Sequence, residues 1–262
     1  MSSLSPSLRP QRSQGATRRA PLLLRLLSQY TPLVEGEMLG LSRVVRPGDV
    51  CVDVGANYGL YTHELSRLVG DAGRVHSIEP LPEAYRVLSA LVALRSLRNV
   101  DTHQVALGEH AESSVLSVPW RHGLPVHGRA YLRSGARGEG ANGEFRSSRD
   151  VEVAVLSLDG LLARGVLGRV DFLKADVEGA ELAILRGGAT LIGTWRPTLL
   201  LEIEDRHTAR YGHRAGDVLD WLAARGYRAH RWLDAMWQPC TRWTADARNY
   251  LLISSDRRVP LL

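Results

Sequence analysis

A single lysine, Lys174, stands among the 33 basic residues of this 262-residue chain; every other one is arginine. Cysteine is nearly as scarce. Cys51 and Cys240 cannot build a disulfide framework, and reduced thiols in a cytoplasmic protein are expected. No apolar run approaches the roughly 18 residues that a membrane span needs, so no membrane partner is expected. The stretch from Leu22 to Leu27 is short and broken by Arg25, which makes a poor signal-peptide core. Zinc-ligand spacing, a G-x-S-x-G elbow and a Walker loop are all missing.

Acidic residues are absent from positions 1–34, which carry Arg9, Arg12, Arg18, Arg19 and Arg25. Removing these five from the 33 basic residues leaves 28, equal to the 28 acids. The formal charge of +5 therefore belongs to a basic N-terminal arm, and a neutral body argues against a nucleic-acid partner. Residues 1–20 read as disordered, and Pro21 to Tyr30 as a short amphipathic helix. Glu35 to Val45 suggests a second helix stopped by Pro47-Gly48. These two would cap a sheet edge or help form a homodimer.

A hydrophobic content of 44% supplies a core, and residues 35–262 read as one domain. From Val50 onward short apolar runs alternate with helical patterns, the mark of a doubly wound sheet. Strands are expected at 50–54, 74–78, 100–105, 170–175 and 197–203, with helices at 60–69, 83–96, 158–164, 180–186 and 217–225. A closing pair at 227–232 and 250–254 completes a Rossmann-like, seven-stranded, mostly parallel α/β sheet with helices on both faces and an antiparallel C-terminal strand. Cys51 falls in the first strand and Cys240 in a late loop. Two further strands, at 115–118 and 151–155, flank residues 119–149, which hold six glycines and six arginines. A stretch so long and aperiodic is a lid, an insertion loop or disorder.

Chemistry concentrates first at Asp53-Val54-Gly55-Ala56-Asn57-Tyr58-Gly59. A buried strand, a glycine turn and a helix start make a corner that cradles a ligand, with the helix amides turned toward a carboxylate or phosphate. The G-x-x-x-G spacing departs from the dinucleotide fingerprint G-x-G-x-x-G. A plain structural turn would carry the same glycines. Asp53 could hold the loop or face a cationic group. Glu79, 26 residues further on and followed by Pro80, ends the second strand, where a carboxylate accepts ribose hydroxyls.

A second cluster follows. Lys174, Asp176 and Glu178 are spaced two apart at one strand end, and Glu202 and Glu204 at the next, with His207 close behind. Such carboxylates can orient a hydroxyl, act as a base, or hold a divalent metal such as Mg2+ through Asp176, Glu202 and Glu204. A structural alternative has Glu178 starting a helix, Lys174 neutralising Asp176, and His207 on an exposed loop. The arginines at 121, 129, 133 and 137 suggest an acidic group on the acceptor or a solvated loop.

DVGANYGLYT (53–62), SIEPLPEAYRVL (77–88), NVDTHQVALGE (99–109), FLKADVEGAELAILRGG (172–188) and LLLEIE (199–204) resemble, in order and spacing, the FkbM-type methyltransferase family. The resemblance implies a class I fold, S-adenosylmethionine as methyl donor, and the hydroxyl of a small-molecule acceptor such as a sugar or polyketide as nucleophile. It places Asp53, Gly55, Ala56, Asn57, Tyr58 and Gly59 at the methionine end, Glu79 and Pro80 at the ribose, and Ala106 and Leu107 near the adenine. Asp176 and Glu178 would face the transferred methyl, with Lys174, Glu204 and His207 as further catalytic candidates. The 119–149 segment and the N-terminal arm lie outside the pattern. A nitrogen-directed methyltransferase would carry a Pro-Pro-aromatic turn where Asp176-Val177-Glu178-Gly179 stands, and a non-catalytic cofactor-binding module would not need the clustered acids.

Overall fold

The computed structural model describes residues 36–256. The basic arm with its expected helix lies outside the described residues. Five parallel strands form the centre of the main sheet: β1 (Val50–Val54), β2 (Arg74–Ile78), β3 (Val100–His103), β9 (Phe172–Ala175) and β10 (Thr198–Glu202). On one edge β13 (Asn249–Ser254) inserts antiparallel between β10 and β11 (Tyr227–Leu233). This is the expected seven-stranded arrangement plus an eighth strand, β12 (Met236–Cys240), hairpinned onto β11. Cys240 thus ends a strand rather than lying in a loop. A turn at Asp234 and Ala235, both at positive φ, makes the hairpin. Neither is glycine or asparagine, so the usual turn signal was lacking.

Strand alternation splits the core in two. Val52, Val54, Leu173, Leu199 and Leu201 join one buried cluster. Packed there are α3 (Leu158–Ala163), α4 (Glu181–Arg186), α5 (Ala189–Trp195) and α7 (Ala215–Ala223). Cys51, Val75, Phe172 and Leu200 face the other way, beneath α1 (Leu60–Val69). A 3-10 helix at Gly36–Arg43 closes that face, where an α-helix was expected. Its tight fit has a visible cause, since a Cβ on Gly40 would strike the rings of Trp232 and Trp237.

The chain leaves the main sheet after β3. Residues 106–156 build a second sheet of β4 (Ala106–Leu107), β5 (Glu112–Arg121), β6 (Leu124–Pro125), β7 (Tyr131–Leu132) and β8 (Ser147–Leu156). The expected loop at 119–149 is therefore mostly ordered, and the flanking strands are ten residues each and pair antiparallel from Glu112–Val155 to Trp120–Ser147. Leu116, Val118, Leu132, Val153 and Val155 bury together against Ala84 of α2 (Pro82–Leu94) and Leu81 just before it. The chain then returns to place β9 beside β1. Strand order reverses at that pair, so the crevice at its carboxyl end is the topological switch point where open α/β sheets bind ligands.

Candidate active site

At the end of β1 the chain turns through Gly55 and Asn57, at φ 71° and 49°. A Cβ on Gly55 would fall on the carbonyl oxygen of Asp176, so the two loops meet backbone to side. Asparagine tolerates the left-handed region that most residues avoid. The amides of Gly55 and Ala56 both donate to the Ile78 carbonyl, at 3.0 and 3.1 Å. They are spent on tying β1 to β2 and are not free for a ligand.

Asp53 is fully buried, away from any ligand space. It shares strand register with Ser77 and Lys174, and all three lie under α1. Thr62 of α1 donates to Asp53 at 2.7 Å. The Lys174 ammonium lies 3.7 Å from Asp53, 3.5 Å from Asp176, and donates to the Gly55 carbonyl at 3.3 Å. It also lies 5.0 Å from the centre of the Tyr61 ring. The lone lysine is thus a buried strut under the glycine corner, not a group facing substrate. Burial pushes the Asp53 carboxyl above its ordinary range, and Lys174 and Thr62 offset part of that.

A cavity of about 450 Å³ opens above this corner. Gly55, Asn57, Glu79, Pro80, Ala106, Leu107, Asp176, Glu178 and Glu202 line it, as the sequence suggested. Asp53, Ala56, Tyr58, Gly59, Lys174, Glu204 and His207 do not. Glu79 accepts the amides of Asn57 and Leu81, each at 2.8 Å, which fixes its carboxylate at the cavity wall. Burial raises its pKa, with the two amides offsetting part. Asn57 Oδ1 is buried with no hydrogen-bond partner among the described residues. An unpartnered acceptor there, a carboxylate beside it and an apolar wall at Ala106 and Leu107 fit a nucleoside that carries a cationic group.

Across the crevice, the turn after β9 carries Asp176 and Glu178. Glu178 sits at φ 57° and Gly179 at φ 105°. Backbone strain of this kind persists only where neighbours over-determine it, and four contacts do so. Glu181 accepts the amides of Val177 and Gly179 at 3.2 Å each. Arg210 donates to the Glu178 carbonyl at 3.2 Å. His207 Nδ1 lies 2.6 Å from the Glu178 carboxylate, and a Cβ on Gly179 would meet the His207 carbonyl.

Asp176 is half-exposed into the cavity, its side chain 37% accessible. Burial alone would raise its pKa, but Lys174 and a hydrogen bond with Glu202 prevail and lower it. His207 is buried, not on an exposed loop. Burial would lower its pKa, yet Glu178 and Glu204 on either side outweigh that and raise it. Glu204 meets Arg206 at 2.7 Å, His207 at 3.6 Å and Arg248 at 3.8 Å. These cations overcome burial and hold Glu204 well below the usual carboxylate range. The expected Mg2+ site at Asp176, Glu202 and Glu204 is not formed. Glu204 is turned to cations, and no group of three ligating side chains converges on a metal position among the described residues.

The second sheet supplies residues of which the sequence had marked only Arg129. His127, Gly128, Arg129 and Ala130 form a turn over the cavity, with Leu116 and Leu132 beside it. Arg129 Nε lies 3.8 Å from Glu178, and Tyr58 contacts His127 at 2.7 Å. Arg206 and Arg248 line the cavity from the main sheet. Of the four loop arginines, only Arg129 reaches this cavity. Its signal was the histidine, glycine and arginine run in a loop of the right length, which carries no periodicity to flag it.

Methyltransferase sdnD from Sordaria araneosa is 32% identical over 174 residues, covering 56% of this chain and 66% of the relative. The 31-O-demethyl-FK506 methyltransferase FkbM from Streptomyces tacrolimicus is 28% identical over 167 residues, covering 55% and 60%. The chain thus matches about three fifths of these relatives' length. A crystal structure of a methyltransferase FkbM from Methylobacillus flagellatus KT aligns over 90% of this chain and 59% of its own, at 17% identity and a TM-score of 0.48. Residues 53–229 match the model described as the Methyltransferase FkbM domain, and the chain belongs to that family.

Proposed function

We propose that the protein transfers a methyl group from S-adenosylmethionine to a hydroxyl of a small-molecule acceptor, such as a sugar or polyketide-like metabolite. One observation carries the reading. One cavity is lined by Asn57 after β1 and Glu79 after β2, and by Asp176 and Glu178 after β9, across the switch point between β1 and β9. The Streptomyces relative is named for a 31-O acceptor position, which favours oxygen.

S-adenosylmethionine supplies, when bound, a methyl already activated by its sulfonium. This chain's share is then alignment, charge placement and exclusion of water, with a ceiling of about 7–11 kcal/mol. Glu79 would accept the ribose hydroxyls, and Asn57 Oδ1 would accept from the ammonium of the methionine end. Ala106 and Leu107 cover the adenine. Asp176, kept ionised by Lys174 beneath it, would place negative charge beside a bound sulfonium, and Glu178 would form an adjoining wall for the acceptor. Leu116 and Leu132 give the acceptor an apolar surface.

Calorimetry with S-adenosylhomocysteine tests the reading. Glu79→Ala should weaken binding at least tenfold, or about 1.4 kcal/mol. Asp176→Asn should retain binding while abolishing methyl transfer from labelled S-adenosylmethionine to a hydroxyl. No binding by folded wild-type protein would leave the glycine corner as architecture alone.

A further inference from the structure

A hydroxyl that accepts a methyl must lose its proton, and the acidic cluster is badly placed to take it. Glu178 is occupied by His207 and Arg129, at 2.6 and 3.8 Å. Glu204 is surrounded by Arg206, His207 and Arg248 and stands off the cavity. His207 is buried with the Glu178 and Glu204 carboxylates within ion-pair distance of its two ring nitrogens, which favours its protonated form. Asp176 is bound to Lys174 and Glu202.

One histidine lines the cavity among the described residues, and it comes from the second sheet. His127 opens the turn over the crevice. Its Nδ1 lies 2.7 Å from the Tyr58 hydroxyl, and the two rings sit 5.9 Å apart at 59°. No protein hydrogen bond reaches its Nε2 among the described residues. Tyr58 follows Asn57 in the glycine corner, so the contact ties this imidazole to the wall that would hold the cofactor. The charged groups sharing the cavity with it are Glu79 at the end of β2, Asp176 and Glu178 after β9, Glu202 on β10, and Arg129 on its own turn, with Arg206 and Arg248 beyond.

We propose that His127 is the general base of the reaction and that Tyr58 positions it. This rests on the oxygen-transfer reading above. Nδ1–H donates to the Tyr58 oxygen, which leaves the Nε2 lone pair directed at the acceptor. As the acceptor oxygen bonds to the methyl carbon, the carbon–sulfur bond breaks with its electron pair going to sulfur, and the hydroxyl proton passes to Nε2. The products are a methyl ether, neutral S-adenosylhomocysteine and a protonated imidazole, which returns the proton to solvent. This tautomer is part of the proposal, because a tyrosine hydroxyl can accept from Nδ1 or donate to it, and the ring's protonation decides between them.

Three measurements test this. Nitrogen NMR of the imidazole in ligand-free protein above neutral pH should show His127 protonated on Nδ1 alone, with the signal altered in Tyr58→Phe. Calorimetry should show His127→Asn binding S-adenosylhomocysteine within threefold of wild type, because the substitution leaves the cofactor wall intact. Methyl transfer to catechol or methyl glucoside, as probe acceptors, should fall by about two to four powers of ten in His127→Asn at neutral pH, with loss of the rising acid limb of the pH–rate profile. An Nε2-protonated ring overturns the assignment whether or not either probe is methylated. A His127→Asn enzyme that keeps the wild-type rate and acid limb also overturns it. Wild-type protein that binds S-adenosylhomocysteine but methylates nitrogen instead would sink the oxygen reading, and a retained pH limb would then be judged on that acceptor.

Discussion

Glu181 shows how much one residue can carry without touching a ligand. It is buried, uses one carboxylate oxygen for two amides of the Asp176–Gly179 turn, and leaves the other without a partner among the described residues. Burial pushes its pKa from 4.5 up to about 7, more than those amides can offset. The folded state therefore binds a proton that the unfolded chain releases between about pH 4.5 and 7. Stability from this group is complete below that window and is lost as pH rises through it, by at most about 3 kcal/mol. Denaturant titrations of wild type and Glu181→Gln across pH 5–8 should show the wild type losing ground as pH rises, since the amide keeps the accepting oxygen. Parallel pH profiles would refute this role. Asp53 and Lys174 make the complementary point about legibility. Their residue types marked a site, but strand alternation sends them to the face of Cys51 and Phe172, beneath α1, where a pair of charges is structural. Asp176 and Glu178 lie beyond the strand, so the turn frees them from that alternation.

Among the elements, the β1–α1 corner was the most readable, because glycine spacing after an apolar run constrains backbone shape directly. Gly55→Ala tests it. The added methyl would meet the Asp176 carbonyl in a left-handed conformation, and the expected cost is about 2 kcal/mol or more, with S-adenosylhomocysteine binding lost. Unchanged stability and affinity would mean that the two loops separate easily. The second sheet was far less readable. Its long strands were placed by their valines, yet β6, β7 and the turn at 127–130 are held by tertiary contacts such as Arg210 stacked 3.7 Å over Tyr131 and Tyr211 bonded to the Leu132 carbonyl. No local pattern encodes contacts made to a segment about 80 residues away. The same limit hid His127, and it left Arg129 indistinguishable from its three neighbouring loop arginines, because their importance comes from what they face.

On the scale of the whole molecule, the cavity lies where the two sheets meet, so a ligand filling it should tie them together. S-adenosylhomocysteine at a hundred times its Kd should add about 2.7 kcal/mol to unfolding stability. Hydrogen exchange should slow in the 127–130 turn as well as in the β1–α1 corner, because Tyr58 and His127 join the two. Protection confined to the corner would separate the turn from the cofactor. No helix among the described residues is long and apolar enough to cross a membrane.

The second sheet is also one unbroken piece of chain. Residues 112–156 leave and rejoin the domain beside the short β4–β8 pairing, while every residue assigned to the cofactor lies outside that segment. On the proposed reading, the segment that would meet the acceptor could therefore be exchanged as a cassette, provided that a graft keeps His127 and its contact with Tyr58. Natural variation or a designed graft confined to these residues could alter which molecule is methylated while inheriting the donor site unchanged.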